Sequence, residues 1–260
     1  MNKVIVIKIG GSTLGSHDTT IEDLVKLQKE GNSLVVVHGG GKVITDWLAK
    51  QGVPSRFVQG ERVTDQPTLD VVVAVLAGLV NKELVTAINR RGGRAVGISG
   101  ADGALLEGKI KDPKMGFVGE VTKINTTLLT ALLQSGFIPV IAPVGFNVSE
   151  TSSNGPQTLN LNADVAAGEL AAAINAESLI FLTDVTGILD QSGKLLPSLT
   201  TAEAEALLAS GIASGGMIPK VKACLKALSG QAQTCIIDGR QPHALLQQLK
   251  GEGCGTTIRK

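Results

Sequence analysis

Val4, Ile5, Val6, Ile7 and Ile9 form a β-branched run broken only by Lys8 and closed by Gly10 and Gly11. This is the pattern of a strand buried on both faces in a parallel sheet. Thr20 then caps a predicted helix with Ile21, Leu24, Val25 and Leu27 on its apolar face and Gly31 as its stop. "SLVVVHGGG" repeats the opening pattern and runs into a helix, "KVITDWLAKQG", with Val43, Ile44, Trp47 and Leu48 at helical spacing. From about Thr68 to Asn89 the chain is apolar around much of a long helix, which therefore lies in a core or against another subunit. "AVGISG" reads as a third buried strand, "ALLEGKIKD" and "GFVGEVTKI" as short antiparallel strands, and "GFIPVIAPVGF" as a further strand.

A polar stretch, "NVSETSSNGPQT", precedes "LNLNADVAAGELAAAI", and the last third repeats the strand–helix rhythm. "SLIFLTDVTG" is a strand, "ILDQSGKLLPSL" a hairpin around Ser192 and Gly193, and "TAEAEALLASG" and "GGMIPKVKACLKAL" are helices. "TCIIDG" and "GTTIRK" flank a last helix, "PHALLQQLKG". Such alternation predicts an α/β fold whose mainly parallel sheet is covered on both faces. A boundary near residue 175 divides it into an N-terminal lobe, 1–175, and a C-terminal lobe, 176–260.

Composition narrows the partners. With 260 residues, a net charge of +1, 18% charged residues and no long basic run, the chain offers no nucleic-acid surface, though it can hold one anionic pocket. The absence of Tyr and the single Trp47 leave little aromatic stacking for bases. Cys224, Cys235 and Cys254 show no metal spacing and an odd count, so reduced thiols and a cytoplasmic location are expected. "VIVIKIGG" is too short to span a bilayer, and no secretory pattern opens the chain, so no membrane partner is expected.

Five places carry candidate chemistry. Lys8 ends a buried strand beside glycines, where open α/β sheets receive ligands and backbone N–H groups can approach an anion; a lysine that merely snorkels before a turn is the plain alternative. Gly39, Gly40 and Gly41 lack the spacing of a phosphate-binding GxxxxGK[ST] loop, yet suit a backbone nest as well as a tight turn. Lys220 follows Pro219 at a helix N-terminus, a poor place for a cation unless an anion binds there; a solvated lysine beside Lys222 and Lys226 is the other reading. Asn160, Asn162 and Asp164 exceed what one helix cap needs, so one should bind ligand and the carboxylate should orient lysines. Arg62, after the polar turn Gln59-Gly60, can grip a carboxylate or simply stay solvated.

"KIGGSTL", "VVHGGGK", "GERVTD", "LVNKELV", "AVGISGADG", "NLNADVAA", "LTDVTGILD" and "GGMIPKV", in this order along the whole chain, resemble the amino acid kinase family, most closely its members acting on N-acetyl-L-glutamate. The resemblance implies a three-layer αβα sandwich, with the acetylated amino acid in the N-terminal lobe and MgATP in the C-terminal one. It implies phosphorylation of the γ-carboxylate of N-acetyl-L-glutamate in arginine biosynthesis. Carried over by motif, Lys8 and Lys220 stabilise the transferring phosphoryl group and Asp164 organises both. Gly11 donates to that group, while Gly40, Gly41, Arg62 and Asn160 hold the substrate. The nucleotide, with its Mg²⁺, lies against Asp184, Val185, Thr186, Gly187, Ile188 and Leu189, and against Ile212, Ala213, Ser214, Gly216 and Met217; no metal ligand is assigned to the protein. Glu61 departs from the pattern, since the family usually has an apolar residue before the arginine.

The resemblance also implies a homodimer through the long helix, and, because the first strand begins at about residue 3, one insensitive to arginine. The alternatives are a kinase for carrier-linked aminoadipate in lysine biosynthesis and an anion- or nucleotide-binding module without turnover.

Overall fold

The computed structural model describes residues 3–10, 19–58, 60–149, 155–213, 215–253 and 255–260. Its first half contains β1 (Val4–Ile9), α1 (Thr20–Lys29), β2 (Ser33–His38), α2 (Gly41–Lys50), the short strands β3 (Phe57–Val58) and β4 (Glu61–Arg62), and α3 (Gln66–Val73). A π-helical segment, Ala74–Val80, joins α3 to α4 (Asn81–Arg90), and β5 (Ala95–Gly100), β6 (Leu106–Ile110), β7 (Val118–Ile124), α5 (Thr127–Gln134) and β8 (Ile138–Asn147) follow. Then come β9 (Thr158–Leu161), α6 (Ala163–Ala173), β10 (Ser178–Thr183), β11 (Ser198–Thr200), α7 (Thr201–Ala209) and α8 (Met217–Ser229). The chain closes with β12 (Gln233–Asp238), α9 (Ala244–Leu249) and β13 (Gly255–Arg259).

One sheet of eleven strands runs in the order β11-β13-β12-β10-β1-β2-β8-β6-β7-β9, with β5 paired only to β8. Its middle is parallel: β1 lies between β2 and β10, and β10 carries β12. Among the described residues, antiparallel pairing of strands within this sheet is confined to β12–β13, β6–β7 and β8–β9, so the mainly parallel sheet expected from the alternating pattern is present, with β3 and β4 as a separate antiparallel pair. The sheet crosses residue 175 without a break, because β1 pairs with β10.

Side-chain parity sorts the core into two layers. Val4, Val6, Val35, Val37 and Phe181 face a layer containing α5, α6, α7 and α8, while Ile5, Ile7, Ile9, Leu34 and Val36 face α1, α2, the Gln66–Arg90 helix and α9. That is the αβα sandwich. Full burial of each such side chain stabilises by roughly 1.5–3 kcal/mol. The Ala-rich α6 lies flush against α8: a Cβ on Gly168 would sit 2.7 Å from the Ala223 carbonyl oxygen. Small side chains set a short interhelical distance, and so bring the N-terminal turns of the two helices together.

Four readings of the sequence need correction. Thr20 is the first residue inside α1 rather than its cap; Thr19 holds the N-cap position and its hydroxyl accepts the His243 amide at 2.6 Å, fastening α1 to the start of α9. Trp47 is not core. It is 39% exposed, with the Lys50 ammonium 5.5 Å from its ring centroid, and only Ile44 and Leu48 of that helix are buried. The long helix begins at Gln66, capped by Asp65, and contains the π segment that helical periodicity does not announce. Finally, β5 is only partly buried, since it pairs on one side.

Gln66–Arg90 is also the described helix long and apolar enough to cross a membrane, with a mean hydropathy of 1.9. Leu69, Val72, Val75, Leu76, Leu84 and Ile88 along it are buried in the core of this fold. Packing on the sheet accounts for these positions, and the apolar window as a whole is 44% buried.

Candidate active site

Parallel β1, β2, β10 and β12 end together, so the turns after Ile9, His38, Thr183 and Asp238 share one edge of the sheet. Ligands of open α/β sheets bind at that edge. Lys8 has the parity of Val4 and Val6 and therefore faces the α6 layer. There its ammonium lies 2.8 Å from one carboxylate oxygen of Asp164, while Lys220 Nζ, from the first turns of α8, lies 3.1 Å from the other. Lys220 also donates to the Gly216 carbonyl at 3.2 Å. Neither lysine is a snorkelling surface residue: their side chains are 8% and 15% exposed.

Asn162 explains why Asp164 stands where it does. It caps α6, its side-chain oxygen accepting the amides of Asp164 and Val165, which leaves Asp164 in the first turn with its carboxylate free for the lysines. Burial opposes ionisation of Asp164, but Lys8 and Lys220 together outweigh it and hold the carboxyl below its ordinary range. One carboxylate between two ammoniums leaves an excess positive charge. Such a site is arranged to receive an anion.

Beside this cluster lies a cavity of about 210 Å³ lined by Lys8, Gly40, Gly41, Arg62, Asn160 and Asp164, with Phe57, Leu76 and Pro143 among its apolar walls. Six sequence-predicted residues thus come together in one place. Arg62 is buried rather than solvated: it donates to Ser55 Oγ (2.6 Å), Thr45 Oγ1 (2.8 Å) and the Gly41 carbonyl (2.9 Å), and stacks 4.7 Å above Phe57. Burial pulls its pKa down from the ordinary value. Asn160 donates to Thr64 Oγ1 at 2.9 Å, and that hydroxyl donates to the Arg62 carbonyl, so the two polar walls are tied together.

A second cavity, of about 620 Å³, shares Gly60, Glu61 and Asn162 with the first and adds Gly215, Gly216, Pro219, Lys111 and Lys222. Glu61 is paired with Lys111 at 2.5 Å, which is how a charge is accommodated where the resemblance leads one to expect an apolar residue. Gly216 and Met217 open α8 beside that cavity, with Ile212 and Ala213 just before them. Asp184–Leu189 leave the end of β10 along the same sheet edge but line neither cavity; Ile188 is buried in the core, its amide bonded to Thr256 Oγ1, whereas Val185 and Leu189 are exposed. Gly11 and Ser214 lie outside the described residues.

Sequence reasoning missed His38, Asn81, Thr45, Ser55, Phe57 and Lys111. For His38 a signal was available: a polar ring closing a run of buried β-branched residues, on the parity of Leu34 and Val36, must face the other helical layer.

Residues 3–238 match the model of the amino acid kinase family. An acetylglutamate kinase of Dehalococcoides mccartyi (strain ATCC BAA-2266 / KCTC 15142 / 195) is 49% identical, over 99% of this chain and 94% of that protein. Among solved structures, smu.665 from Streptococcus mutans UA159 superposes with a TM-score of 0.83 at 28% identity, over 100% of this chain and 99% of that one. An N-acetylglutamate synthase from Neisseria gonorrhoeae, complexed with coenzyme A and N-acetyl-glutamate, superposes with a TM-score of 0.85 at 27% identity, over 99% of this chain and 59% of that one. Because the family match runs through every element that builds the lysine–aspartate–lysine cluster and the cavity beside it, the chain belongs to the amino acid kinase family.

Proposed function

We propose that this chain transfers the γ-phosphoryl group of ATP to the γ-carboxylate of N-acetyl-L-glutamate, giving N-acetyl-L-glutamyl 5-phosphate and ADP in arginine biosynthesis. The observation that carries this reading is the Lys8–Asp164–Lys220 cluster at the wall of a cavity with a buried arginine. The relative from Dehalococcoides mccartyi supports it by name.

The acceptor carboxylate is already ionised at neutral pH, so no general base is required. A carboxylate oxygen attacks the γ-phosphorus, and the bond to the β–γ bridging oxygen breaks as ADP leaves. Such a transfer depends on bringing two anions into line and cancelling their repulsion. Lys8 and Lys220 meet the phosphoryl oxygens, and Asp164 fixes the spacing of the two ammoniums. Arg62 takes the α-carboxylate of the amino acid, while Gly40, Gly41 and Asn160 offer backbone and amide bonds. Gly11 would add a further donor to the phosphoryl group. The nucleotide lies along Ile212, Ala213, Ser214, Gly216 and Met217 and against the turn Asp184–Leu189, with Lys111 and Lys222 supplying cations near its phosphates. Mg²⁺ arriving with the nucleotide would supply further neutralisation of phosphate charge, and no side chain of this chain is assigned to hold it.

In this reading residues 1–175 bind the amino acid and 176–260 the nucleotide, and the enzyme is a cytoplasmic homodimer paired through the long helix, where Leu79 is exposed. The test is a coupled ADP-release assay with N-acetylglutamate, glutamate and carrier-linked aminoadipate. N-acetylglutamate should be preferred over glutamate by a large factor, because a pocket built for the amide leaves polar groups unpaired without it. Equal turnover of glutamate, or turnover of the carrier-linked substrate alone, overturns the assignment. Light scattering that gives a monomer removes the dimer.

A further inference from the structure

His38 closes β2 with no exposed surface and with both ring nitrogens engaged. Nδ1 lies 2.9 Å from the Gly39 carbonyl oxygen, and Nε2 lies 3.2 Å from Asn81 Nδ2. The orientation of the Asn81 amide is fixed by other partners. Its nitrogen faces the Val140 and Ile98 carbonyls at 2.9 and 3.3 Å, and its oxygen accepts from Lys82 Nζ at 3.0 Å. Asn81 therefore donates to His38, and the Gly39 carbonyl accepts from it, which assigns the imidazole proton to Nδ1. Burial, with Lys8 and Lys82 nearby, pushes the ring down to about 4 against the opposing effect of the Gly39 bond, so it is neutral at physiological pH.

That bond controls a peptide in the cavity wall. The Gly39–Gly40 peptide is trans, so its carbonyl and its N–H point in opposite directions. Turning the Gly39 carbonyl toward the buried ring turns the Gly40 N–H away from it, and Gly40 lines the cavity. Among the described residues this N–H meets no acceptor. The opposite side of Gly40 is closed by the π segment, since a Cβ there would lie 2.6 Å from Leu76 Cδ2. Asn81 is the first residue after that segment, so one amide ties the histidine, two sheet strands and the π-helical wall together. A π segment inside an α-helix is common at functional sites.

We propose that His38, locked in one tautomer by Asn81, is a positioning residue that presents the Gly40 N–H to a carboxylate of the bound amino acid. This rests on the reading of the cavity as the amino-acid site. His38 itself touches neither substrate nor nucleotide; it acts through one peptide plane.

Two substitutions separate this role from packing. His38→Leu keeps an apolar filler and removes both bonds, whereas His38→Asn can still donate to the Gly39 carbonyl. His38→Leu should raise KM for N-acetylglutamate about tenfold or more while leaving KM for ATP within about twofold, and His38→Asn should recover most of the loss. Equal impairment of both variants, or an unchanged KM in His38→Leu, overturns the proposal. A second readout needs no variant and no turnover: in the ¹⁵N-labelled wild-type protein, N-acetylglutamate should shift the Gly40 amide proton downfield. If wild-type protein binds N-acetylglutamate without phosphorylating it, the catalytic reading fails while this shift still supports His38. A Gly40 amide that does not move on saturation overturns the positioning role even if turnover is normal.

Discussion

At the scale of single residues the site is a balance of three buried charges, and its parts are not interchangeable. Lys8 and Lys220 should matter most when charge moves onto the transferring phosphoryl oxygens, so Lys8→Ala and Lys220→Ala are expected to lower kcat by about a hundredfold or more with little change in KM. Steady-state kinetics in both substrates reads this directly, and near-normal kcat with poor ATP binding would overturn the assignment. Asp164 differs because its removal leaves two largely buried ammoniums facing each other at the cavity wall. Asp164→Ala should cost on the order of 3–5 kcal/mol in urea unfolding, and MgATP, by returning negative charge to the gap, should restore more stability to this variant than to the wild type. A variant as stable as the wild type, or one indifferent to nucleotide, would mean that the lysines find other partners.

At the scale of elements, the β3–β4 hairpin carries Arg62 over the cavity and Glu61 toward Lys111. Glu61 lies on the rim that the two cavities share, but the bonds to Arg62 come from Ser55, Thr45 and Gly41 rather than from the Glu61 side chain. Glu61→Leu should therefore leave KM for the amino acid within about twofold and cost less than about 1 kcal/mol, since the Lys111 pair is partly exposed and screened. Ser55→Ala, which takes one bond from a buried guanidinium, should raise that KM by roughly tenfold; the reverse ranking in a titration of initial rates would show that the Glu61–Lys111 pair, not the arginine's own bonds, holds the hairpin. What the sequence discloses at this scale follows from periodicity. Strands that close on glycine, the Asn162 cap and the parity of Lys8 are local facts, and each can be read from a few adjacent residues. The contacts of Arg62 come from Thr45 and Ser55, and the His38–Asn81 bond spans 43 positions, so no local spacing encodes them. Trp47 misled because helical spacing says which residues share a face, not how far the covering layer extends.

At the scale of the whole molecule, a neutral imidazole at the seam between sheet and long helix makes stability depend on pH. In the unfolded chain His38 takes its ordinary value of 6.5, and in the fold it is held down to about 4 by burial, with Lys8 and Lys82 adding to the effect. Below 6.5 the unfolded chain therefore binds a proton that the folded one refuses. The corresponding stability is fully present above 6.5 and is lost progressively as pH falls to about 4, by on the order of 3 kcal/mol. Other buried groups act too. Burial raises Asp23 despite its bond to His243, so protonation in acid relieves a penalty there; Asp164 is lowered, and its loss falls below its ordinary 3.8, under this window. These contributions are common to wild type and His38→Leu, and subtracting one urea-unfolding series from the other removes them. The difference in unfolding free energy should shrink by about 3 kcal/mol between pH 6.5 and 4, with most of the change complete before Asp164 begins to titrate. Parallel stability curves over that interval would mean that His38 is protonated in the fold, and with a second proton on the ring the bond from Asn81 could not form.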